Sequence, residues 1–368
     1  MSVITFIDVK VGVCKPPRGV KFPSKKMAPV AENTLIGMCN PLLDIQTTVG
    51  KDFLDKWGLK ENDAILCDDK HNQMFEDLIK DFEVEYIPGG AAQNSLRVAQ
   101  WILNEPNRTV FFGAVGKDNY GDLLRQKAKS AGVNVQYQVN EKVKTGTCAA
   151  LINGTNRSLC AHLAAANTFT LDHLKKEENQ KLIEEAKYYY ITGFFLTVCP
   201  EAILHIAKHS AEHQKTFTLN LSAPFISEFF YKPLSEVIPY VDILFGNETE
   251  AVAFSKAAGL GTDDVKEIAL KAASLPKNTS KPRLIVFTQG PDPVIVVEGD
   301  KVTEYPVTRL SKEEIVDTNG AGDAFVGGFL SQLIQQNTIQ KSVECGSFAA
   351  QEVIKHQGCT LPPTCSYH

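Results

Sequence analysis

The chain has no Cys-x-x-Cys pair and no Cys/His spacing suited to zinc, and its nine cysteines are scattered and odd in number. That pattern argues against a disulfide framework and for free, mostly buried thiols in a reducing compartment. No apolar run is long enough to cross a bilayer; the longest uncharged one of note, Tyr188 to Pro200, falls well short of a spanning helix. Asp8, Lys10 and Lys15 interrupt any apolar core near the start, so no signal peptide is expected there. Also absent are the GxxxxGK(S/T) phosphate loop, the HRD and DFG motifs of protein kinases, the HExxH helix and the GxSxG elbow. Nor does GxGxxG follow a first strand with an acidic residue about 20 positions on, which disfavours a dinucleotide-dependent oxidoreductase. A net charge of −5 gives no general attraction to nucleic acid or to an anionic membrane. The expectation is a soluble cytoplasmic protein.

What is present fits a globular enzyme. At 368 residues, 43% hydrophobic and 22% charged, the chain can build one large α/β domain or two unequal ones. Residues 9–31 hold six Lys or Arg, four prolines and no acid. The arm 1–32 therefore reads as irregular and partly mobile, a solvated tail, with a nuclear-import or anionic-surface signal as the alternative. From Asn33 onward the pattern changes. Runs at Thr34–Cys39, Thr109–Val115, Val133–Val139, Tyr188–Phe195, Thr216–Leu221, Asp242–Phe245 and Leu284–Thr288 read as strands, with helical segments between most of them. Near-continuous apolar strands alternating with helices predict a doubly wound, mostly parallel sheet flanked by helices. Two stretches, 59–90 and 141–166, fit that alternation poorly and are expected to form a small extra sheet.

The segment Asp317-Thr-Asn-Gly-Ala-Gly-Asp323 carries the most chemistry. Gly320, Ala321 and Gly322 stand where a loop becomes a helix, on which Phe325, Phe329 and Leu333 predict a buried stripe. The first turn of a helix has unpaired N–H groups and a partial positive charge, and side chains this small let a phosphate approach them. Asp323 in that turn adds a carboxylate, so the segment suits phosphoryl transfer to a hydroxyl. A glycine-rich turn with a capping aspartate is the competing reading of such a motif taken alone. Gly89 and Gly90 permit a positive φ beside a ligand, and Asn94 one turn on supplies a donor and an acceptor. Asn40 and Asp44, after the first strand, suit a vicinal diol, or else a local turn and cap. Asn247 and Glu250 open another helix; they can organise a hydrated Mg²⁺ or merely complement the helix dipole. Thr288 and Gly290 end a strand where a nucleotide could lie. Arg157 is the candidate cation for the transferring phosphate, a solvated surface arginine being the alternative.

Taken together, Gly89-Gly90…Asn94, Asn247-x-x-Glu250 and Asp317-Thr-Asn-Gly-Ala-Gly-Asp323 resemble the signatures of the ribokinase-like (PfkB) carbohydrate kinase family. The stretches 37–45, 157–167, 193–197, 219–225 and 245–250 are similar to those of its adenosine-phosphorylating members. The resemblance spans about Asn33 to the C-terminus. It implies a ribokinase-like domain over 33–368, with a small mainly-β lid formed by 44–49, 59–90 and 141–166. It also implies Mg²⁺-dependent transfer from ATP to the 5′-hydroxyl of adenosine, giving AMP and ADP, by a monomer. Asp323 would then be the general base and the backbone of Gly320, Ala321, Gly322 and Asp323 the anion hole, with Arg157 neutralising transferred charge. Asp44, Gly90 and Asn94 would hold the ribose hydroxyls, with Asn40 nearby, and Gly89 and Asn319 are also expected to meet the substrate. Cys148, Leu159, Ala161, Leu163, Phe195 and Phe225 would line the nucleoside pocket under Leu66 of the lid. Asn247, Thr288, Gly290, Gly320 and Gly322 would meet ATP, and Glu250 with Asn247 the metal through water. Two positions depart from the resemblance: Ala64 stands where glutamine is expected, and His162 where asparagine is.

Overall fold

In a computed structural model of the chain, residues 29–61, 64–154 and 156–367 are described. Most of the basic arm lies outside them. Among the described residues, nine strands form one sheet in the order β14-β13-β12-β11-β10-β9-β1-β5-β6. They are β1 (Leu35–Met38), β5 (Thr109–Gly116), β6 (Asn134–Asn140), β9 (Tyr188–Thr192), β10 (Thr216–Asn220), β11 (Ile243–Asn247), β12 (Leu284–Gln289), β13 (Asp292–Glu298) and β14 (Lys301–Tyr305). Strands β6 to β12 in that order are parallel; β13 and β14 add an antiparallel edge. Helices cover both faces, so a central strand has no solvent side: all eight residues of β5 are buried. β1 lies between β5 and β9, which follow it in opposite directions across the sheet, so the order reverses there. In such sheets ligands bind beyond the carboxyl ends of the strands at the reversal.

A second sheet has the order β3-β8-β7-β2-β4, built from β2 (Leu42–Thr48), β3 (Ala64–Leu66), β4 (Glu85–Gly89), β7 (Thr147–Asn153) and β8 (Asn156–His162). One of its faces packs with helices 51–57 and 72–81 around Ile45, Leu54, Met74, Leu78, Leu151 and Cys160. Leu42, Cys148, Leu159, Ala161 and Leu163 gather as a separate apolar group on the way to the large sheet. Asp44 is therefore the third residue of a strand in the small sheet rather than the end of the first strand of the large one. The break at Asn40-Pro41 separates the two.

Helix Ala321–Ile334 departs from the amphipathic stripe expected of it. Ten of its fourteen residues are buried, and Leu333 is one of the few that is not. It is sandwiched between helices Ala91–Leu103 and Ile339–Ile354, and glycine makes the fit possible. A Cβ on Gly327 would lie 2.4 Å from the Ser95 carbonyl, and one on Gly328 would lie 2.5 Å from that of Cys345. The backbones thus touch, and the N-termini of helices 91–103 and 321–334 are brought to one end of the sheet. The strand expected over Tyr188–Phe195 stops at Thr192, because Gly193–Thr197 turns into a 3₁₀ segment. Among the described residues no helix is long and apolar enough to cross a membrane.

Candidate active site

Beyond the carboxyl ends of β1 and β9 lies a cavity of about 340 Å³, roofed by the small sheet. Its polar floor contains Asn40, Asp44, Gly90, Asn94, Asn319, Gly320, Gly322 and Asp323. Its apolar wall contains Leu42, Leu66, Leu159, Ala161, Leu163, Phe194 and Phe225, with Cys39 and Cys148. This volume falls within the range of small-ligand pockets. A smaller cavity of about 180 Å³ adjoins it, lined by Asn220, Ser222, Asn247, Glu250, Thr288, Gly322 and Asp323 among others. Asp323 and Gly322 belong to both, so the carboxylate stands where the two spaces meet.

Two helix N-termini point into the larger cavity, and neither is capped by a side chain. Gly320 holds φ at +76°, a left-handed conformation, and a Cβ there would lie 3.2 Å from the Cβ of Cys359. A Cβ on Gly322 would meet nothing, which leaves the backbone of that turn open to a ligand. The helices starting at Asn119, Glu248, Val265 and Ile339 have side-chain caps, whereas those starting at Lys51, Glu177 and Pro200 are also bare, so it is the cavity at these two ends that sets them apart. The two bare ends meet the need of an anion for unpaired N–H groups. Gly90, at φ +99°, has the stricter requirement, since a Cβ would fall 2.5 Å from the Asn40 carbonyl.

The electrostatics separate the polar groups into roles. Burial pushes the Asp323 carboxyl up to about 7; the hydrogen bond from Asn94 opposes this, and the charge on Asp44 adds to it. Asn94 Nδ2 donates to Asp323 Oδ2 at 3.0 Å, and Arg97 donates to the Asn94 oxygen at 3.4 Å, which orients the amide. Asp44 is also raised to about 7 by burial, partly offset by Arg157 and reinforced by Asp317. Asn40 is buried at the floor, and its Oδ1 has no hydrogen-bond partner among the described residues. An acceptor so placed is costly unless a ligand donor meets it.

Several expected residues are placed otherwise. Phe195 does not line the cavity: it is fully buried and packs edge-on against Phe169 at 5.2 Å. The 3₁₀ turn rotates its neighbour Phe194 outward instead, 6.1 Å from Phe225. Gly89 makes room rather than contact, because a Cβ on it would lie 2.4 Å from Asp44 Oδ1. Gly290 is exposed and lines neither cavity; with φ +54° it is the turn of the β12–β13 hairpin. His162 is exposed beside Phe75, away from the cavity.

Arg157 is the largest departure. Neither a surface residue nor a lining residue of either cavity, it is 8% exposed on β8 and donates to Asp317 through Nη1, with Nη2 at 4.0 Å from Asp44. Asp317 also accepts the N–H of Gly358 at 2.8 Å and of Asn319 at 2.9 Å. One carboxylate thereby ties the small sheet, the C-terminal segment and the loop leading to Gly320.

Glu250 is a helix-capping residue whose two oxygens are both engaged. Oε2 accepts the Asn247 N–H at 3.0 Å and Oε1 the Asn247 amide at 2.8 Å. It nonetheless lines the smaller cavity and is pushed up to about 7 by burial, the Asn247 backbone hydrogen bond opposing. Sequence reasoning missed Cys39, Leu42, Phe194, Thr197 and Ser222 on the walls. Ser222 carried a signal only in retrospect: at φ +72° it is a non-glycine residue in the left-handed region, and its hydroxyl accepts the Gly193 N–H at 2.9 Å.

Residues 51–365 match the model of the pfkB family carbohydrate kinases. The chain is 52% identical to adenosine kinase 2 of Arabidopsis thaliana over 332 residues, covering 90% of this chain and 96% of that one. It is 43% identical to adenosine kinase of Dictyostelium discoideum, over 88% of this chain and 95% of that one. Among solved structures it resembles Anopheles gambiae adenosine kinase in complex with P1,P4-di(adenosine-5) tetraphosphate. The TM-score is 0.89 and the identity 50%, covering 92% of this chain and 100% of that one. With a matching model over most of its length and relatives this similar across nearly their whole chains, the protein belongs to the pfkB family of carbohydrate kinases.

Proposed function

We propose that the chain is an adenosine kinase, transferring the γ-phosphoryl group of Mg-ATP to the 5′-hydroxyl of adenosine to give AMP and ADP. The observation that carries this reading is the position of Asp323, in the first turn of an uncapped helix where a nucleoside-sized cavity meets a smaller polar one. The relatives named above are adenosine kinases, which favours adenosine over a sugar as acceptor. The apolar wall supports the same choice, since the flat faces of a purine need apolar cover and a free hexose does not.

On this reading the ribose hydroxyls donate to Asn40 Oδ1 and Asp44, and the backbone at Gly90 closes against the sugar. The purine lies between Phe194 and Phe225 on one side and Leu159, Leu163 and Leu66 on the other. Asp323 takes the 5′-hydroxyl proton as the oxygen attacks phosphorus. The N–H groups of the first turn from Gly320 receive the charge that develops on the transferred phosphoryl oxygens. Arg157 acts at one remove, through Asp317. Asn247 and Thr288 face the nucleotide side, and Asn319 the junction. The donor set around the smaller cavity fits hydrated Mg²⁺, because Glu250 and Asp323 are desolvated carboxylates that a cation would relieve. When bound it would neutralise phosphate charge, with Glu250 and Asn247 holding it through water. Residues 44–49, 59–90 and 141–166 act as a lid that excludes water and so suppresses hydrolysis of ATP. A cytoplasmic monomer completes the proposal.

The assignment is tested by a substrate panel with Mg-ATP. Adenosine is expected to be turned over to AMP far faster than ribose or fructose; fast sugar turnover without AMP formation would sink it. The pH profile tests the base. A carboxylate raised to about 7 is protonated below that pH and cannot accept the hydroxyl proton. kcat/KM is therefore expected to rise with pH, about tenfold per unit, and to level off above about pH 7. Asn94→Ala removes a hydrogen bond to the charged form, so its limb should move to higher pH. A profile flat between about pH 5 and about pH 8 contradicts the assignment.

A further inference from the structure

On the face of the small sheet turned away from the cavity, Cys67 follows edge strand β3 and Cys160 lies on the adjacent β8. His71 reaches the same point from the short turn after β3. One sulfur from each cysteine and one ring nitrogen of His71 all lie within 4.8 Å of one another. Cys160 and His71 are buried and Cys67 is half-buried, so the cluster has a dry interior and an open side.

The hydrogen bonds of His71 distinguish its two ring nitrogens. Nδ1 accepts the backbone N–H of Asp68 at 3.1 Å, so in the neutral ring the proton is on Nε2, which donates to the Trp57 carbonyl at 3.2 Å. A backbone carbonyl holding the distal N–H is the usual support of a metal-ligating histidine. Asp68 contributes a further observation. Its Oδ1 lies 2.8 Å from Nδ1 of that ring. Nδ1 has a single in-plane lone pair, which the Asp68 N–H occupies, so the Asp68 carboxylate stands beside the ring as a neighbouring negative charge. Two thiols and an imidazole are ligand types that divalent zinc takes in tetrahedral sites, where water can fill the fourth position.

We propose that Cys67, Cys160 and His71, with water in the fourth position, form a binding site for a thiophilic divalent cation, zinc by its chemistry. Binding replaces the two thiol protons, which leave to solvent, and exchanges the Asp68 N–H on Nδ1 for the metal. The ion would pin β3 to β8. Ala64 and Leu66 of β3 and Leu159 and Ala161 of β8 line the larger cavity, so the site would stiffen its roof from behind. It lies apart from the Asp323 centre and does not depend on the reaction assigned there.

The full chain, reduced and stripped of metal with a chelator, is titrated with Co²⁺ and the absorption followed. The expected result is one equivalent giving thiolate-to-cobalt charge transfer and the visible bands of a tetrahedral ion, both bleached by Zn²⁺. Cys67→Ser, at a half-exposed position that tolerates the change, should remove most of the charge-transfer band. The Cys67→Ser/Cys160→Ala double variant should remove all of it, and Asp68→Asn should weaken Co²⁺ binding about 10- to 100-fold. Absence of a charge-transfer band in the unaltered protein overturns the proposal. A band of full strength in the double variant also overturns it, by placing the metal on other thiols of the chain.

Discussion

Replacing Asp323 by asparagine is expected to lower kcat for AMP formation by about 10²- to 10⁴-fold while leaving adenosine affinity within a few-fold. The substitution keeps the size of the side chain and an oxygen for the Asn94 amide, which donates at 3.0 Å, but removes the lone pair that must accept a proton. Single-turnover product formation beside calorimetric adenosine binding separates the two effects; near-full turnover by the variant would remove Asp323 from the mechanism. The same variant has a stability signature of opposite sign. The folded-state pKa of Asp323 is raised from its ordinary value to about 7, so folding disfavours the charged form. The stability cost is absent below the unfolded pKa, grows as pH rises through the window between the two values, and is complete above about 7. Asp323→Asn should therefore melt higher than the parent at pH 8 and show no such advantage at pH 4, both without ligand. A centre that gains function at the expense of stability behaves in this way.

Asp317→Ala is expected to destabilise the protein by about 3–5 kcal/mol, the range for removing one partner of a buried ion pair. Arg157 would lose a carboxylate partner in a site where both side chains are nearly buried, and the N–H groups of Gly358 and Asn319 would lose their acceptor. Because Asn319 leads directly into Gly320, the effect should extend beyond stability to kcat, even though Asp317 lines neither cavity. Urea unfolding of Asp317→Ala and Asp317→Asn checks the first part, with the asparagine variant expected to retain more because it still offers an oxygen. A loss below about 1 kcal/mol for the alanine variant would show that the junction tolerates its absence.

The centre was legible where its chemistry is local. Three small residues followed by an aspartate at a loop-to-helix junction allow an anion cradle, and Gly89-Gly90 with Asn94 allows a second close approach; it is their occurrence together that favours a site over a capped turn. The parallel sheet was legible too, since strands covered on both faces must be apolar throughout, as β5 is. Errors arose where a single turn decides direction. The resemblance places Phe195 in the pocket, whereas the 3₁₀ turn at Gly193 buries it and puts Phe194 on the cavity wall. Gly290 looked like a nucleotide turn, and only the antiparallel pairing of β13 shows that it serves a hairpin. The stripe on helix 321–334 was read too narrowly, because a one-dimensional periodicity registers a single neighbour and this helix lies between two others and a sheet.

Composition, motif spacing and apolar runs by themselves determined an α/β fold and a glycine-rich loop-to-helix junction with a carboxylate in it, since each follows from neighbours a few residues apart. Tertiary structure alone decided that Arg157 is buried against Asp317, that Asn40 presents an acceptor without a partner among the described residues, and that the pKa values of three carboxyl groups are raised. The Arg157–Asp317 contact joins residues 160 positions apart. The raised carboxyl groups come chiefly from burial. Both are products of chain closure: distance and desolvation in a folded interior depend on which remote segments pack together, and local sequence does not encode them.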